Sequence, residues 1–249
     1  MDFRAEREAI LRSNSKNHFM HTAAKKFFAA TVDAKYSYCF DWLGRPIIQY
    51  PQDIVALQEI VSSTKPNLII ETGIAHGGSL VLSASLLCLL DVMEGINPRQ
   101  STRKVIGVDI EIRPHNRKAL DEHPLRFKMD LIEGSSIDPE TVRQVRKRLD
   151  GVDRVLVALD SNHTGEHVLA ELNAYADLVT VGSYCIVFDT VIDELPDGTF
   201  SDRPWSTTNN PKTAVREWLK SHPEFEVDVG IDNKLLISVA PEGYLKRVG

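Results

Sequence analysis

Four acidic residues follow apolar runs along this 249-residue chain, namely Glu71, Asp109, Asp160 and Asp189. In a parallel sheet, ligands bind outside the carboxyl ends of the strands, so we expect these four carboxylates to converge on one crevice. Asp160 and Asp189 could together hold a hard divalent cation such as Mg²⁺ through oxygen ligands. Such an ion would orient a substrate hydroxyl and lower its pKa.

His163 lies three residues after Asp160, on the same predicted rim. An unperturbed histidine titrates near neutral pH, which suits a general base that removes a proton from a hydroxyl. We therefore take His163 and Asp160 as candidate catalytic residues. The alternative is that His163 only begins the following helix and takes no part in chemistry.

A glycine-rich stretch, Glu71-Thr72-Gly73-Ile74-Ala75-His76-Gly77-Gly78-Ser79, follows the first apolar run. Its glycines let the backbone approach a ligand, and the helix after it offers unpaired N–H groups. Asp109, at the end of the next run, could accept hydrogen bonds from two ribose hydroxyls. The alternative is a plain turn before a crossover helix.

The stretch fits the dinucleotide fingerprint G-x-G-x-x-G poorly. Ala75 takes the place of the middle glycine, and Asp109 lies farther away than the roughly 20 residues which that fingerprint expects. A nicotinamide dinucleotide is therefore the weaker interpretation. A ligand with adenosine but no pyrophosphate, such as S-adenosylmethionine, needs the turn and the ribose acid without a phosphate cradle.

Strand and helix patterns alternate from residue 51 to the end. The predicted strands are Asn67–Thr72, Lys104–Asp109, Leu125–Ile132, Val155–Asp160 and Tyr184–Phe188, followed by a hairpin of Phe225–Val229 and Lys234–Ala240. The predicted helices are Gln52–Ser63, Ser79–Met93, Pro114–Leu120, one from Asp138-Pro139, Glu166–Ala176 and one from Pro211. The pattern predicts a doubly wound, Rossmann-like α/β fold with a seven-stranded, mostly parallel sheet and one antiparallel strand.

Residues 1–50 do not share this alternation. Asp2–Ser13 reads as a short amphipathic helix, and many aromatic residues follow it. We expect an N-terminal helical extension over residues 1–50, serving as a lid or an oligomer contact, and a Rossmann-like domain over residues 51–249. Packing of the extension against the flank of the core is the alternative.

Composition excludes several other classes. The net charge of -6 argues against a duplex nucleic-acid binder. No apolar run approaches the roughly 20 residues that span a bilayer, and the charged N-terminus lacks a signal-peptide core. Three cysteines lie far apart, which is typical of buried thiols in a reducing compartment. We expect a cytoplasmic protein without nucleic-acid or membrane partners.

Five segments together resemble the cephalosporin hydroxylase and rhamnosyl O-methyltransferase family: Trp42–Asp53, Ile70–Ser79, Leu159–His163, Gly182–Tyr184 and Gly243–Arg247. The resemblance implies a class I S-adenosylmethionine methyltransferase that acts on hydroxyls of antibiotics and glycosides. It implies that Glu71, Gly73, Gly77, Ser79 and Asp109 contact the cofactor, that Asp160 binds magnesium and that His163 is the base. We add His76, Gly78, Ser135, Ser136 and Asp160 to the candidate cofactor contacts.

One position departs from that family. Magnesium-binding members usually have Glu-Asp at the end of the fifth strand, whereas this chain has Phe188-Asp189. Either Asp160, Asp189, water and substrate complete a weaker site, or the protein works without a metal. Asp193 and Glu194, from the following loop, could substitute for the missing acid.

These observations predict an S-adenosylmethionine-dependent O-methyltransferase, acting as a homo-oligomer on a sugar, glycoside or small natural product. A nicotinamide oxidoreductase and a non-catalytic cofactor-binding protein are the rival hypotheses, together with an iron hydroxylase. The hydroxylase would need a facial triad of two histidines and a carboxylate. His222-Pro223-Glu224 has the right residue types but lies away from the predicted crevice.

Overall fold

A computed structural model describes residues 2–196, 198–199 and 201–249, except for the side chain of Asp33. A small hairpin of β1 (Phe40–Trp42) and β2 (Arg45–Ile47) precedes the main sheet. The main sheet contains β3 (Leu68–Thr72), β4 (Lys104–Asp109), β5 (Met129–Glu133), β6 (Val155–Leu159), β7 (Tyr184–Val187), β8 (Phe225–Val227) and β9 (Tyr244–Arg247). Its strand order is β5-β4-β3-β6-β7-β9-β8, and β9 pairs antiparallel with both neighbours. The predicted seven-stranded sheet with one antiparallel strand is confirmed.

Helices cover both faces of this sheet. They are α1 (Phe3–Asn14), α2 (His18–Asp33), α3 (Pro51–Thr64), α4 (Gly78–Met93), α5 (Pro114–Asp121), α6 (Pro139–Arg146), α7 (Gly165–Tyr175), α8 (Pro211–Trp218) and α9 (Val229–Leu235). The first turns of α3, α5, α6 and α8 carry proline, whose fixed φ suits the start of a helix. Asp138 caps α6 by accepting from the Thr141 N–H, as the sequence indicates.

The centre of the sheet positions the candidate site. Every residue of β3 and β6 is buried, which suits strands covered on both faces. These two strands are neighbours, and the chain continues from β3 to β4 on the other side. A crevice opens where strand order reverses in this way, at the carboxyl ends of β3 and β6.

The predicted C-terminal hairpin is wrong. Val229–Leu235 forms α9, which Asp228 caps by accepting from the Gly230 N–H. The segment around Ser238 is held by Asp53, which accepts from the Ser238 hydroxyl at 2.6 Å and from the Val239 N–H at 3.0 Å. That segment therefore cannot join the sheet, and β9 takes the place between β7 and β8. In addition, the third predicted strand begins only at Met129, because Arg126–Lys128 form a 3₁₀ turn.

The two helices of the N-terminal extension differ in how far they are buried. Helix α1 buries no residue, whereas Phe28 of α2 stacks on Tyr50 with ring centroids 5.1 Å apart. The Tyr50 hydroxyl is 2.7 Å from that of Thr31. Residues up to 50 thus share the core of the main domain through α2 and the hairpin, while the boundary at residue 50 stays a prediction. None of the helices in the described part of the chain is long and apolar enough to cross a bilayer.

Candidate functional site

The glycine turn after β3 lies directly against the exit of β6. Gly73 has a φ of +86°, and a Cβ there would lie 2.6 Å from the carbonyl carbon of Asp160 and 2.9 Å from the Cα of Ser161. Only glycine combines this left-handed conformation with so close an approach. Gly78 is confined in the same way, because a Cβ there would lie 2.6 Å from the carbonyl carbon of Pro46. The turn is therefore enclosed by the N-terminal hairpin on one side and by β6 on the other.

Two side chains that the sequence argument missed tie down the carbonyls of this turn. The Arg45 guanidinium donates to the carbonyl of His76 through Nε at 2.9 Å, and to the side chain of Asn116 at 2.7 Å. Asn116 in turn donates to the carbonyl of Ala75 at 2.8 Å. Ala75 has a φ of +46°, which is uncommon for a residue with a side chain. These bonds hold the turn in that conformation.

Asp109 acts on the N–H groups of the same turn. Its Oδ2 accepts from the N–H of Ile74 at 2.7 Å and from that of Ala75 at 3.1 Å, while its Oδ1 accepts from Glu111 at 3.1 Å. A carboxylate offers about four lone-pair sites, so these bonds do not use all of them. Asp109 lies at the end of β4, where the sequence predicts it, and its first structural role is to clamp the turn.

Glu71 lies beneath the turn rather than in the open crevice. The carboxylate is 3 % exposed and accepts from the Ser79 hydroxyl at 2.5 Å and from that of Ser83 at 3.4 Å. Burial raises the pKa of Glu71 to about 7, although both hydroxyls act to lower it. Gly77, which also has a left-handed φ, precedes α4 and packs against Leu120.

Asp160, His163 and Asp189 meet at the carboxyl ends of β6 and β7. Each offers a ligand atom within 4.8 Å of the others, and His163 Nε2 is 3.3 Å from Asp189 Oδ2. Burial raises the pKa of Asp160 well above its usual range, and the charges of Asp189, Glu71 and Glu171 add to the rise. A cation would relieve this concentration of negative charge. The two carboxylates thus fit a hard divalent metal ion through oxygen ligands, with the His163 ring beside them.

Phe188, Asp193 and Glu194, which are close to Asp189 in sequence, lie outside the rim. Phe188, which stands where the resemblance leads us to expect glutamate, is 8 % exposed and lies in the apolar core. Asp193 accepts from Arg216 at 3.0 Å, and Glu194 pairs with the buried Lys212 at 2.7 Å. The two loop acids are therefore engaged in ion pairs outside the rim and do not replace the missing ligand.

A polar network lies on the side of the crevice toward β5. The Ser136 hydroxyl is 3.0 Å from His167 Nε2, and the Ser161 hydroxyl donates to Glu171 at 2.6 Å. Tyr175 fixes the backbone here by donating to the carbonyl of Ser136 at 2.6 Å. The neighbouring Ser135 contributes its backbone carbonyl, which accepts from the N–H of Asp138. The sequence argument named Ser135 and Ser136 but missed His167 and Glu171, whose i, i+4 spacing on α7 was the available signal.

A cavity of about 610 Å³ lies between the glycine turn and the rim of Asp160, His163 and Asp189. The candidate residues that line it are Gly73, His76, Gly78, Ser79, Asp160, His163 and Asp189. The other candidate residues, which do not line it, are Glu71, Gly77, Asp109, Ser135 and Ser136. The N-terminal segment contributes Phe28, Val32 and Gln49, and the chain after Asp189 contributes Val191, Leu195 and Trp205. The Trp205 ring meets the His163 ring edge to face, with centroids 4.7 Å apart. Nothing in the local sequence marks Trp205 or Gln49 as cavity residues.

The His222-Pro223-Glu224 motif takes no part in this site. The His222 ring stacks on Trp218 at 3.8 Å, and its Nδ1 is 2.8 Å from the carbonyl of Trp218. Cys39, Cys88 and Cys185 are free thiols, and the expectation of buried cysteines is wrong for the exposed Cys39 and the half-buried Cys88. The site is therefore built from carboxylates, histidine, hydroxyls and backbone groups.

Comparison with known proteins finds relatives that match most of this chain. The family model described as Rhamnosyl O-methyltransferase/CmcI matches residues 34–248. A rhamnosyl O-methyltransferase of Mycobacterium tuberculosis (strain H37Rv) is 31% identical over 202 residues, which cover 78% of this chain and 73% of the relative. The rhamnosyl O-methyltransferase of Mycobacterium leprae is 27% identical over 209 residues, covering 83% and 82%.

Solved structures of CmcI show the same fold. CmcI with magnesium and S-adenosylmethionine matches with a TM-score of 0.56 at 19% identity, over 85% of this chain and 78% of that one. CmcI with S-adenosylhomocysteine also gives 0.56, at 18% identity, over 84% and 83%. The family model and the mycobacterial relatives are methyltransferases, so the oxidoreductase, hydroxylase and non-catalytic hypotheses are set aside. The chain belongs to the rhamnosyl O-methyltransferase/CmcI family and is an S-adenosylmethionine-dependent O-methyltransferase.

Proposed function

We propose that this protein transfers the methyl group of S-adenosylmethionine to a hydroxyl of a rhamnosyl or similar sugar. The observation that carries the proposal is the approach of Asp160, His163 and Asp189 within 4.8 Å, at a cavity that also contains the glycine turn. The name of the mycobacterial relatives supports a sugar as acceptor. The cavity also supports a sugar as methyl acceptor. Its carboxylates can accept hydrogen bonds from sugar hydroxyls, and the Trp205 ring can pack against the apolar face of a sugar.

The cofactor half of the cavity is the glycine turn. We assign Gly73, His76, Gly77, Gly78 and Ser79 to the approach of the amino-acid part of the cofactor. Glu71 supports this turn by accepting from the Ser79 hydroxyl, and Asp109 supports it by accepting from two of its N–H groups. Asp109 retains capacity to accept hydrogen bonds from ribose hydroxyls. Ser135 and Ser136 are assigned to the far end of the nucleoside, beside the polar network of α7.

The acceptor half is the rim of Asp160, His163 and Asp189. His163 removes the proton of the reacting hydroxyl, and Asp189, at 3.3 Å, orients the imidazole and stabilises its charged form. Asp160 and Asp189 would hold a divalent cation such as Mg²⁺, which when bound orients a hydroxyl and lowers its pKa. Methyl transfer needs in-line approach rather than a covalent intermediate, so positioning supplies most of the rate.

The test separates catalysis from cofactor binding. His163→Gln should lower turnover on methyl α-rhamnoside by about 100-fold or more, because general-base catalysis contributes 10²–10⁴-fold. Its affinity for S-adenosylhomocysteine should stay within about twofold of the unaltered protein. His115→Gln is the matched control, since His115 is exposed and lies outside the cavity. Equal turnover in the two variants would remove His163 as base.

Four further predictions complete the proposal. The N-terminal extension over residues 1–50 closes the acceptor side of the cavity, since Phe28 and Gln49 line it. The protein works in the cytoplasm as a homo-oligomer, in the biosynthesis of a natural product. Light scattering after gel filtration measures the oligomeric state, and a monomer at micromolar concentration would contradict that part.

A further inference from the structure

Gln49 is a buried residue of the N-terminal segment that reaches the catalytic rim. It lies between β2 and α3, and only 5 % of it is exposed. Its Nε2 is 3.4 Å from Asp160 Oδ2, so the amide donates to the carboxylate at the end of β6. Its carbonyl oxygen, Oε1, is buried and accepts no hydrogen bond from the described residues.

An unpaired amide oxygen is costly at such a position. Leaving a buried acceptor unsatisfied costs about 1–3 kcal/mol, so a hydrogen-bond donor is expected there in the working state. Gln49 lines the same cavity as Asp160, His163 and Asp189. Oε1 itself has almost no open surface in this structure, so the missing donor is expected to come from a molecule that occupies the cavity after a small shift of the side chain toward it.

The segment that carries Gln49 is fixed on both sides. Ile47 and Tyr50 are each 2 % exposed, and the Tyr50 hydroxyl is 2.7 Å from that of Thr31. Helix α3 begins immediately afterwards, at Pro51. The backbone at Gln49 is therefore held in place. The hydrogen bond from the side-chain amide to Asp160 further restricts the position of the side-chain carbonyl oxygen.

The surrounding groups define the chemistry of the expected ligand. Asp160, which Gln49 contacts, and Asp189 on the same rim are carboxylates that accept hydrogen bonds when ionised. Gln49 adds a third acceptor, which comes from the N-terminal segment. A ligand with several hydroxyl donors is complementary to this set.

We infer that Gln49 Oε1 accepts a hydrogen bond from a second hydroxyl of the acceptor sugar, and so selects which hydroxyl faces the methyl donor. The inference rests on the sugar acceptor proposed above. Asp160, His163 and Asp189 handle the reacting hydroxyl, while Gln49 binds another hydroxyl of the same ring. Gln49 is thus a specificity-determining residue contributed by the N-terminal extension.

The test compares acceptors that differ by one hydroxyl. Methyl α-rhamnoside and its deoxy analogues are assayed with the unaltered protein and with Gln49→Met, which keeps the length of the side chain but removes the amide. For one non-reacting position, the unaltered protein should prefer the full sugar over the deoxy analogue by about 5- to 150-fold in kcat/KM, the range that corresponds to 1–3 kcal/mol. Gln49→Met should reduce that preference to about twofold or less, with S-adenosylhomocysteine affinity unchanged.

Gln52→Met is the matched control. Gln52 also has a buried carbonyl oxygen without a partner among the described residues, but it lies in α3 and does not line the cavity. This variant should keep the preference. Should Gln49→Met fail to fold, Gln49→Leu takes its place, because it also removes the amide and should also lose the preference for the full sugar.

The outcomes separate the two proposals. Turnover of the rhamnoside with an unchanged preference in Gln49→Met, or in Gln49→Leu where that variant is used, overturns the role of Gln49 alone. An equal loss of activity toward the full and deoxy sugars would mean that Gln49 only positions Asp160. If the unaltered protein neither turns over nor binds any rhamnoside in calorimetry, both the sugar acceptor and the Gln49 inference are wrong.

Discussion

Replacing Gly73 by alanine tests how tightly the cofactor turn and the catalytic strand depend on each other. The φ of +86° costs an L-residue about 1–2 kcal/mol. The new Cβ would also lie 2.6 Å from the carbonyl carbon of Asp160 and 2.9 Å from the Cα of Ser161, and such overlap in a packed interior costs about 1–3 kcal/mol more. Gly73→Ala should therefore lower the free energy of unfolding by about 2–5 kcal/mol.

Gly182→Ala isolates the overlap from the backbone strain. Gly182 has a nearly identical φ of +85°, but nothing lies within 4 Å of the added Cβ. It should cost only the strain, about 1–2 kcal/mol. Urea unfolding measures both variants, and calorimetry with S-adenosylhomocysteine should show at least a tenfold loss of affinity for Gly73→Ala alone. Equal destabilisation of the two variants, with equal cofactor affinity, would refute the close contact between turn and strand.

Three other perturbations address the supports of the site. Asp109→Ala removes the acceptor of two turn N–H groups and should weaken S-adenosylhomocysteine binding about 10- to 100-fold in calorimetry; unchanged affinity would sink its role as clamp. Lys212→Met removes the buried partner of Glu194 and Glu242 and should cost about 1–3 kcal/mol in urea unfolding, whereas the exposed Lys220→Met should change little. Burial raises the pKa of Asp53 to about 6, so stability from this group is present below pH 4 and is lost as pH rises to about 6. That fall amounts to about 3 kcal/mol and should be absent in Asp53→Asn; a fall of the same size in both proteins would contradict it.

The strand ends could be predicted because each apolar run stops at an acid. Lys104–Asp109 was bounded correctly for this reason, and Glu71 and Asp160 lie at or beside the last residues of β3 and β6. The doubly wound, mostly parallel sheet could be predicted because strands and helices alternate along the chain. These signals are local in sequence, and the fold follows from them directly.

The C-terminal region could not be predicted because its structure depends on distant partners. The apolar residues of 229–240 suit a strand as well as a short helix. Asp53 favours the non-strand conformation, because it binds Ser238, which lies 185 residues farther along the chain, and so keeps this segment out of the sheet. No local pattern contains such a bond.

The same limit applies to the acceptor side of the site. Gln49 and Trp205 line the cavity because two irregular segments meet above the rim of Asp160, His163 and Asp189. The position of Asp193 and Glu194 also depended on long-range partners, since Lys212 and Arg216 of α8 pair with them. Residue type alone made these two acids equal candidates for the metal.

The measurement that tests the account most directly follows one methyl group. The protein is incubated with S-adenosylmethionine that carries a deuterated methyl group and with methyl α-rhamnoside, and the products are identified by mass spectrometry. The account predicts a labelled mono-O-methyl rhamnoside formed in equal amount to S-adenosylhomocysteine, and its loss in His163→Gln. Release of S-adenosylhomocysteine without a methylated sugar, or full activity of His163→Gln, would contradict it.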